Sequence, residues 1–123
     1  MDSAIIYHNP KCSTSRNALA LIREAGIEPQ IIEYLQSPPD RATLISLIKQ
    51  AGLSVRDALR EKETLCSELG LDQADLSDDQ LLDAMLAHPV LINRPFVSTS
   101  LGARLCRPVD LVREILPNQA SAS

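Results

Sequence analysis

Two short β-rich runs separated by one amphipathic helix constrain this chain more than any other feature. Ala4-Ile5-Ile6-Tyr7 is apolar, and Gln30-Ile31-Ile32-Glu33-Tyr34-Leu35 is enriched in β-branched residues. Between them Ala18, Leu19, Ile22 and Ala25 recur at helical spacing, and Gly26 falls where a left-handed C-cap belongs. A strand, a helix and a strand in that order make a right-handed βαβ unit with parallel strands. The polar link His8-Asn9-Pro10-Lys11-Cys12-Ser13-Thr14-Ser15-Arg16 then lies at the turn from strand into helix, with Ser13 expected as the N-cap.

A thiol at that turn faces the unpaired N–H groups and the positive dipole end of the helix, and both favour thiolate. Lys11, His8 and Arg16 can add positive charge, and Ser15 can donate a hydrogen bond to the sulfur. Free cysteine usually behaves as a small buried hydrophobe. Cys12 does not fit that pattern among Asn, Pro, Lys, Ser and Thr, so it is the candidate nucleophile. Cys66, on a predicted helix, reads as structural, and Cys106 as a buried strand residue.

The rest of the chain follows in order. Asp40 opens a helix with Leu44, Leu47, Ile48 and Ala51 on one face, ended by Gly52. Residues 54–88 are expected to be wholly helical, with Val55, Leu59, Leu65 and Leu69 inward and a break at Gly70. Ser77 and Gln80 form a capping-box pattern for Leu81, Leu82, Met85 and Leu86, and His88-Pro89 closes that helix. Phe96-Val97-Ser98 reads as a strand, Ser100 to Ala103 as a hairpin turn, and Arg104-Leu105-Cys106 as the returning strand. Val109, Leu111, Val112 and Ile115 set a last helix with Pro108 near its first turn.

This order, β-α-β, a helical block, then β-β-α, is that of a thioredoxin-like α/β fold. It comprises a four-stranded mixed sheet with flanking helices and a helical insertion between its two halves. One domain is expected over residues 1–117, with the insertion at about 40–88 and a frayed tail at 118–123. In such a fold a cis-proline precedes the third strand beside the reactive cysteine, and Pro95 is the candidate.

Composition narrows the function. The 123 residues carry a net charge of −4, which argues against nonspecific binding to nucleic acid or to anionic membranes. A local arginine cluster can still hold a small anion. Three cysteines suit a reduced, cytoplasmic setting, and with no basic segment followed by a long apolar run near residue 1, no leader or membrane span is expected. Neither the cysteines nor the two histidines have metal-ligand spacing, and no glycine-rich phosphate loop or dinucleotide fingerprint is present. No bound cofactor or metal is expected, and no exposed apolar feature demands a partner subunit, so a monomer is expected.

The stretches His8 to Arg16, Asn93-Arg94-Pro95 and Leu105-Cys106-Arg107-Pro108 closely resemble the glutaredoxin-coupled arsenate reductases, the ArsC-like family of thioredoxin fold. The resemblance runs from Ile5 to about Ile115, although this chain stops sooner after its last helix than longer members do. It implies arsenate as substrate, Cys12 as nucleophile, and Arg60, Arg94 and Arg107 as oxyanion ligands. Glutathione would be the co-substrate and glutaredoxin the partner that clears the oxidised enzyme. His8, Ser15 and Arg16 would tune the thiol.

Arg60 alone, in Leu59-Arg60-Glu61-Lys62-Glu63, reads better as a solvated helix residue; the resemblance tips it toward function. His88 reads as a helix-end residue and Arg104 as solvent-facing. Two other readings compete. One is a glutathione-dependent thiol reductase with a different substrate, which would not need three arginines. The other is a non-enzymatic, RNA-polymerase-binding regulator of Spx type. Those proteins use C-x-x-C as a redox switch, whereas position 15 here is serine.

Overall fold

The computed structural model describes residues 4–60, 63–71, 73 and 75–116. Strands β1 (Ala4–His8), β2 (Gln30–Glu33), β3 (Phe96–Thr99) and β4 (Gly102–Leu105) form one sheet in the order β2-β1-β3-β4. β1 runs parallel to β2, with Ile6 opposite Ile31, and antiparallel to β3, with Tyr7 opposite Phe96. β3 and β4 form the expected hairpin, but its turn is tighter than anticipated: Gly102 and Ala103 already belong to β4.

Strand alternation divides the core in two, because successive side chains point to opposite faces. Ala4, Ile6 and Val97 face helix α1 (Ser13–Glu24) and the 3-10 helix Val109–Ile115, packing with Ala18, Ile22, Val112 and Ile115. Tyr7 and Phe96 face the other way, toward Leu44, Leu47 and Ile48 of α2 (Arg41–Gln50) and the helices that follow it. Helices therefore cover both faces, as a four-stranded mixed sheet of thioredoxin-like type requires.

Helix α1 begins one residue earlier than anticipated. Cys12 itself is the N-cap, with extended backbone (φ −97°, ψ 121°), and Ser13 is the first helical residue. A turn closed by the Cys12 N–H donating to the Asn9 carbonyl (3.0 Å) lifts Cys12 out of helical geometry. At the other end Gly26, at φ +86°, closes the helix: its N–H reaches the Arg23 carbonyl and that of Ile27 reaches the Ile22 carbonyl.

Residues 54–88 are not wholly helical. They form three short helices, α3 (Val55–Ala58), α4 (Thr64–Glu68) and α5 (Asp78–Ala87), joined by loops. Caps divide them: Ser54 with Asp57 and Ser77 with Gln80 form reciprocal capping boxes. Of the four residues expected inward, Leu59 is buried, Val55 and Leu65 are half-buried against the core, and Leu69 is exposed. The fully buried residue of α4 is Cys66. The final helix is 3-10 throughout rather than α. The tail beyond Leu116 lies outside the described residues.

Candidate active site

The site forms where β1 ends, α1 begins and the segment before β3 crosses beside them. The Arg94–Pro95 peptide is cis, and so is Arg107–Pro108, which sequence reading did not anticipate. The Cys106 N–H donates to the Pro95 carbonyl (2.9 Å) and the Arg107 Nε to the Arg94 carbonyl (2.6 Å). These bonds aim the far end of the Arg107 guanidinium at Cys12, whose Sγ accepts from Nη2 at 3.4 Å.

Cys12 is half-buried, and burial alone would raise its pKa; the Ser15 N–H, the adjacent Arg94 guanidinium and the charges of Arg107 and Arg94 outweigh that and lower it. The other two thiols are unsuited to reaction. Cys66 and Cys106 are completely buried, and burial pushes the Cys106 thiol up to about 12.

His8, Ser15 and Arg16 shape the loop rather than touch the sulfur with their side chains. The Ser15 Oγ, fully buried, meets His8 Nδ1 at 2.8 Å and accepts from the Asn9 N–H at 3.1 Å. Burial, with Arg16 and Arg23 assisting and Glu33 opposing, lowers the His8 pKa. A neutral imidazole is therefore favoured, so His8 acts as a hydrogen-bonding prop, not as the positive charge considered from sequence. Arg16 is exposed and donates to the Pro10 carbonyl (2.8 Å), bracing the loop from outside.

Arg60 reaches the site through a contact distant in sequence. An isolated antiparallel bridge pairs Leu59 with Ile92, flanked by Arg60 N–H to Leu91 carbonyl (2.7 Å) and Asn93 N–H to Ala58 carbonyl (2.8 Å). Arg60 and Arg94 are thereby held on adjoining backbone segments. Asn93 ties them further, its Oδ1 accepting from the Arg94 N–H at 3.1 Å and from Arg60 Nη1 at 3.5 Å. Their side chains are 19% and 12% exposed, so Arg60 is not a solvated surface residue.

Two participants had no sequence signal pointing to the site. Glu63 lies between Arg60 and Arg94, its Oε2 3.4 Å from one and 3.8 Å from the other. Tyr34, read as an ordinary strand residue, is buried just past β2; burial raises its phenol pKa, and the hydroxyl faces Arg94, Asn9 and Cys12.

Among the described residues, the buried side-chain polar atoms without a hydrogen-bond partner are Tyr34 Oη, Arg60 Nε, Arg94 Nε and Arg94 Nη1. All four are donors, and all belong to this site. Buried donors left unpaired are costly and rare in folded proteins. Those of Arg94 and Tyr34 lie close to the Cys12 thiol. No three His, Cys, Asp or Glu side chains among the described residues cluster in a way that could hold a metal ion.

A thioredoxin-like fold with a single activated cysteine at the start of its first helix defines a thiol-chemistry protein. Comparison with known proteins narrows the class. The chain belongs to the ArsC family, whose model matches residues 7–115. It is 62% identical over 113 residues to an arsenate reductase of Rhizobium meliloti (strain 1021), covering 92% of this chain and 81% of that protein. It is 54% identical over 118 residues to an arsenate reductase of Escherichia coli (strain K12), covering 96% and 84%. Among solved structures, an arsenate reductase from Vibrio cholerae superimposes with a TM-score of 0.88 at 50% identity, covering 93% of this chain and 98% of that one.

Proposed function

We propose that the protein is an arsenate reductase that works through a Cys12–arsenic adduct and draws its electrons from glutathione and glutaredoxin. The observation that carries this reading is the set of buried donors without a hydrogen-bond partner on Arg60, Arg94 and Tyr34, of which Arg94 and Tyr34 adjoin Cys12. Arsenate near neutral pH is a tetrahedral oxyanion of one to two negative charges, repelled by a thiolate at bonding distance unless cations surround it. Arg60, Arg94 and Arg107 supply that charge, and arginine's planar fork suits paired bonds to adjacent oxygens. The identity to arsenate reductases supports the choice of substrate.

The electrons balance over two steps. The Cys12 thiolate attacks arsenic(V) and displaces hydroxide or water, forming an S–As bond. Glutathione sulfur then attacks Cys12 Sγ, the S–As bond breaks with its electron pair passing to arsenic, and arsenite leaves as arsenic(III). Two thiols have become one Cys12–glutathione disulfide, which glutaredoxin reduces with a further glutathione. Ser15 in place of a second cysteine leaves no resolving thiol three residues after Cys12, and buried Cys66 and Cys106 are poor substitutes. An external thiol is therefore required.

The test is arsenate-dependent NADPH oxidation with glutathione, glutaredoxin and glutathione reductase. Turnover should vanish in Cys12→Ser and without glutathione. No turnover from a folded protein whose Cys12 still titrates as an acidic thiol would exclude arsenate and favour another thiol substrate.

A further inference from the structure

A carboxylate does not belong in a cradle whose only task is to concentrate positive charge beside a thiolate. Glu63 nevertheless lies against two of the three arginines, 3.4 Å from Arg60 Nε and 3.8 Å from Arg94 Nη1, with its side chain 29% exposed. Three guanidinium charges, one carboxylate and the Cys12 thiolate leave the site modestly positive. The nitrogens beside Glu63 are ion-paired with it but make no hydrogen bond, so they can still donate one to a ligand. An oxyanion bound to them would come close to the carboxylate. Two oxygens of like charge tolerate that approach only if a proton lies between them.

We infer that Glu63 is a specificity-determining residue that accepts a hydrogen bond from the hydroxyl of a protonated tetrahedral oxyanion. The inference rests on the oxyanion site proposed above and deepens it. Arsenate and phosphate near neutral pH both carry at least one hydroxyl, which donates to Glu63 while the remaining oxygens accept from the arginines. Sulfate carries none, so Glu63 repels it. The cradle thus distinguishes anions of one shape by their proton, a contrast that arginines, which only donate, cannot make.

The test uses inorganic phosphate and sulfate as probes and needs no turnover. Alkylation of Cys12 by iodoacetamide, followed by intact mass at fixed pH and ionic strength, reports occupancy of the cradle. In the wild type, phosphate should slow alkylation at concentrations at least about tenfold below those at which sulfate does, as expected for one charge-assisted hydrogen bond. Glu63→Gln keeps the side chain's size and adds a donor, and should bring the two anions within about twofold of each other. Glu63→Asp keeps the charge and should continue to exclude sulfate. Equal protection by both anions in the wild type, or an unchanged preference in Glu63→Gln, overturns the inference alone. Absence of protection by either anion in the wild type overturns the oxyanion site beneath it.

Discussion

The neighbours that lower the pKa of Cys12 arrive from three separate stretches of chain. Ser15 belongs to its own helix, Arg94 to the segment before β3, and Arg107 to the turn after β4. Burial works against the thiolate and these groups overcome it, so Cys12 should ionise below its ordinary value of 9.0. The folded chain then holds the thiolate better than the unfolded one. The stabilisation is complete above 9.0 and is lost as pH falls through the lowered pKa. Removing Arg107 by Arg107→Ala should move the inflection of Cys12 alkylation against pH upward, while Cys66 and Cys106 stay unmodified until the protein unfolds. An unmoved inflection would mean that the 3.4 Å contact carries no electrostatic weight. Arg94, with two nitrogens that make no hydrogen bond, has more direct consequences for turnover. Arg94→Ala should lower kcat/KM about 100-fold or more, the usual cost of losing one preorganised donor to a reacting oxyanion.

At the scale of elements, two site residues come from the ends of short helices in a region that reads from sequence as helical: Arg60 follows α3 and Glu63 caps α4. The apolar spacing there, the break at Gly70 and the Ser77 capping box were legible, but the end of α3 at Ala58 was not. The Ser54 cap uses hydrogen bonds that a helical pattern tolerates, and the Leu59–Ile92 bridge joins residues far apart in sequence. No local signal announces such a bridge. For the same reason Arg60 looked solvated and Glu63 looked like one more helix carboxylate. Asp79 and Asp83 of α5 both pair with Arg41 of α2, but these contacts are exposed and add little stability. The Ser77 cap has more effect. Ser77→Ala should destabilise the protein by about 1 kcal/mol in urea unfolding and leave the Cys12 pH profile unchanged. A loss of Cys12 reactivity alongside it would show that α5 positions the site rather than only supporting it.

For the whole molecule, the βαβ start and ββα finish were readable because strand alternation and helix spacing are local patterns that agree with the fold. Ile6 and Val97 on one face, with Tyr7 and Phe96 on the other, follow directly from period two. Cys12, Arg94 and Arg107 stand in short motifs, whereas Arg60 was reached only through the resemblance along the chain. Tyr34 was not, because a buried tyrosine in a β-rich run is ordinary until its hydroxyl is found without a partner. The sheet holds β1 and β3 side by side, so the cysteine turn and the Arg94–Pro95 segment cannot drift apart without breaking their ladder. That arrangement lets a chain of net charge −4 keep Arg94 and Arg107 beside Cys12.

The most direct measurement of the central claim is the intact mass of the protein after mixing with glutathione, with and without arsenate, in the absence of glutaredoxin. One glutathionyl group should be added, on Cys12, only when arsenate is present, with one equivalent of arsenite released and neither event in Cys12→Ser. Glutathionylation independent of arsenate, or arsenite release with Cys12 unmodified, would contradict the account.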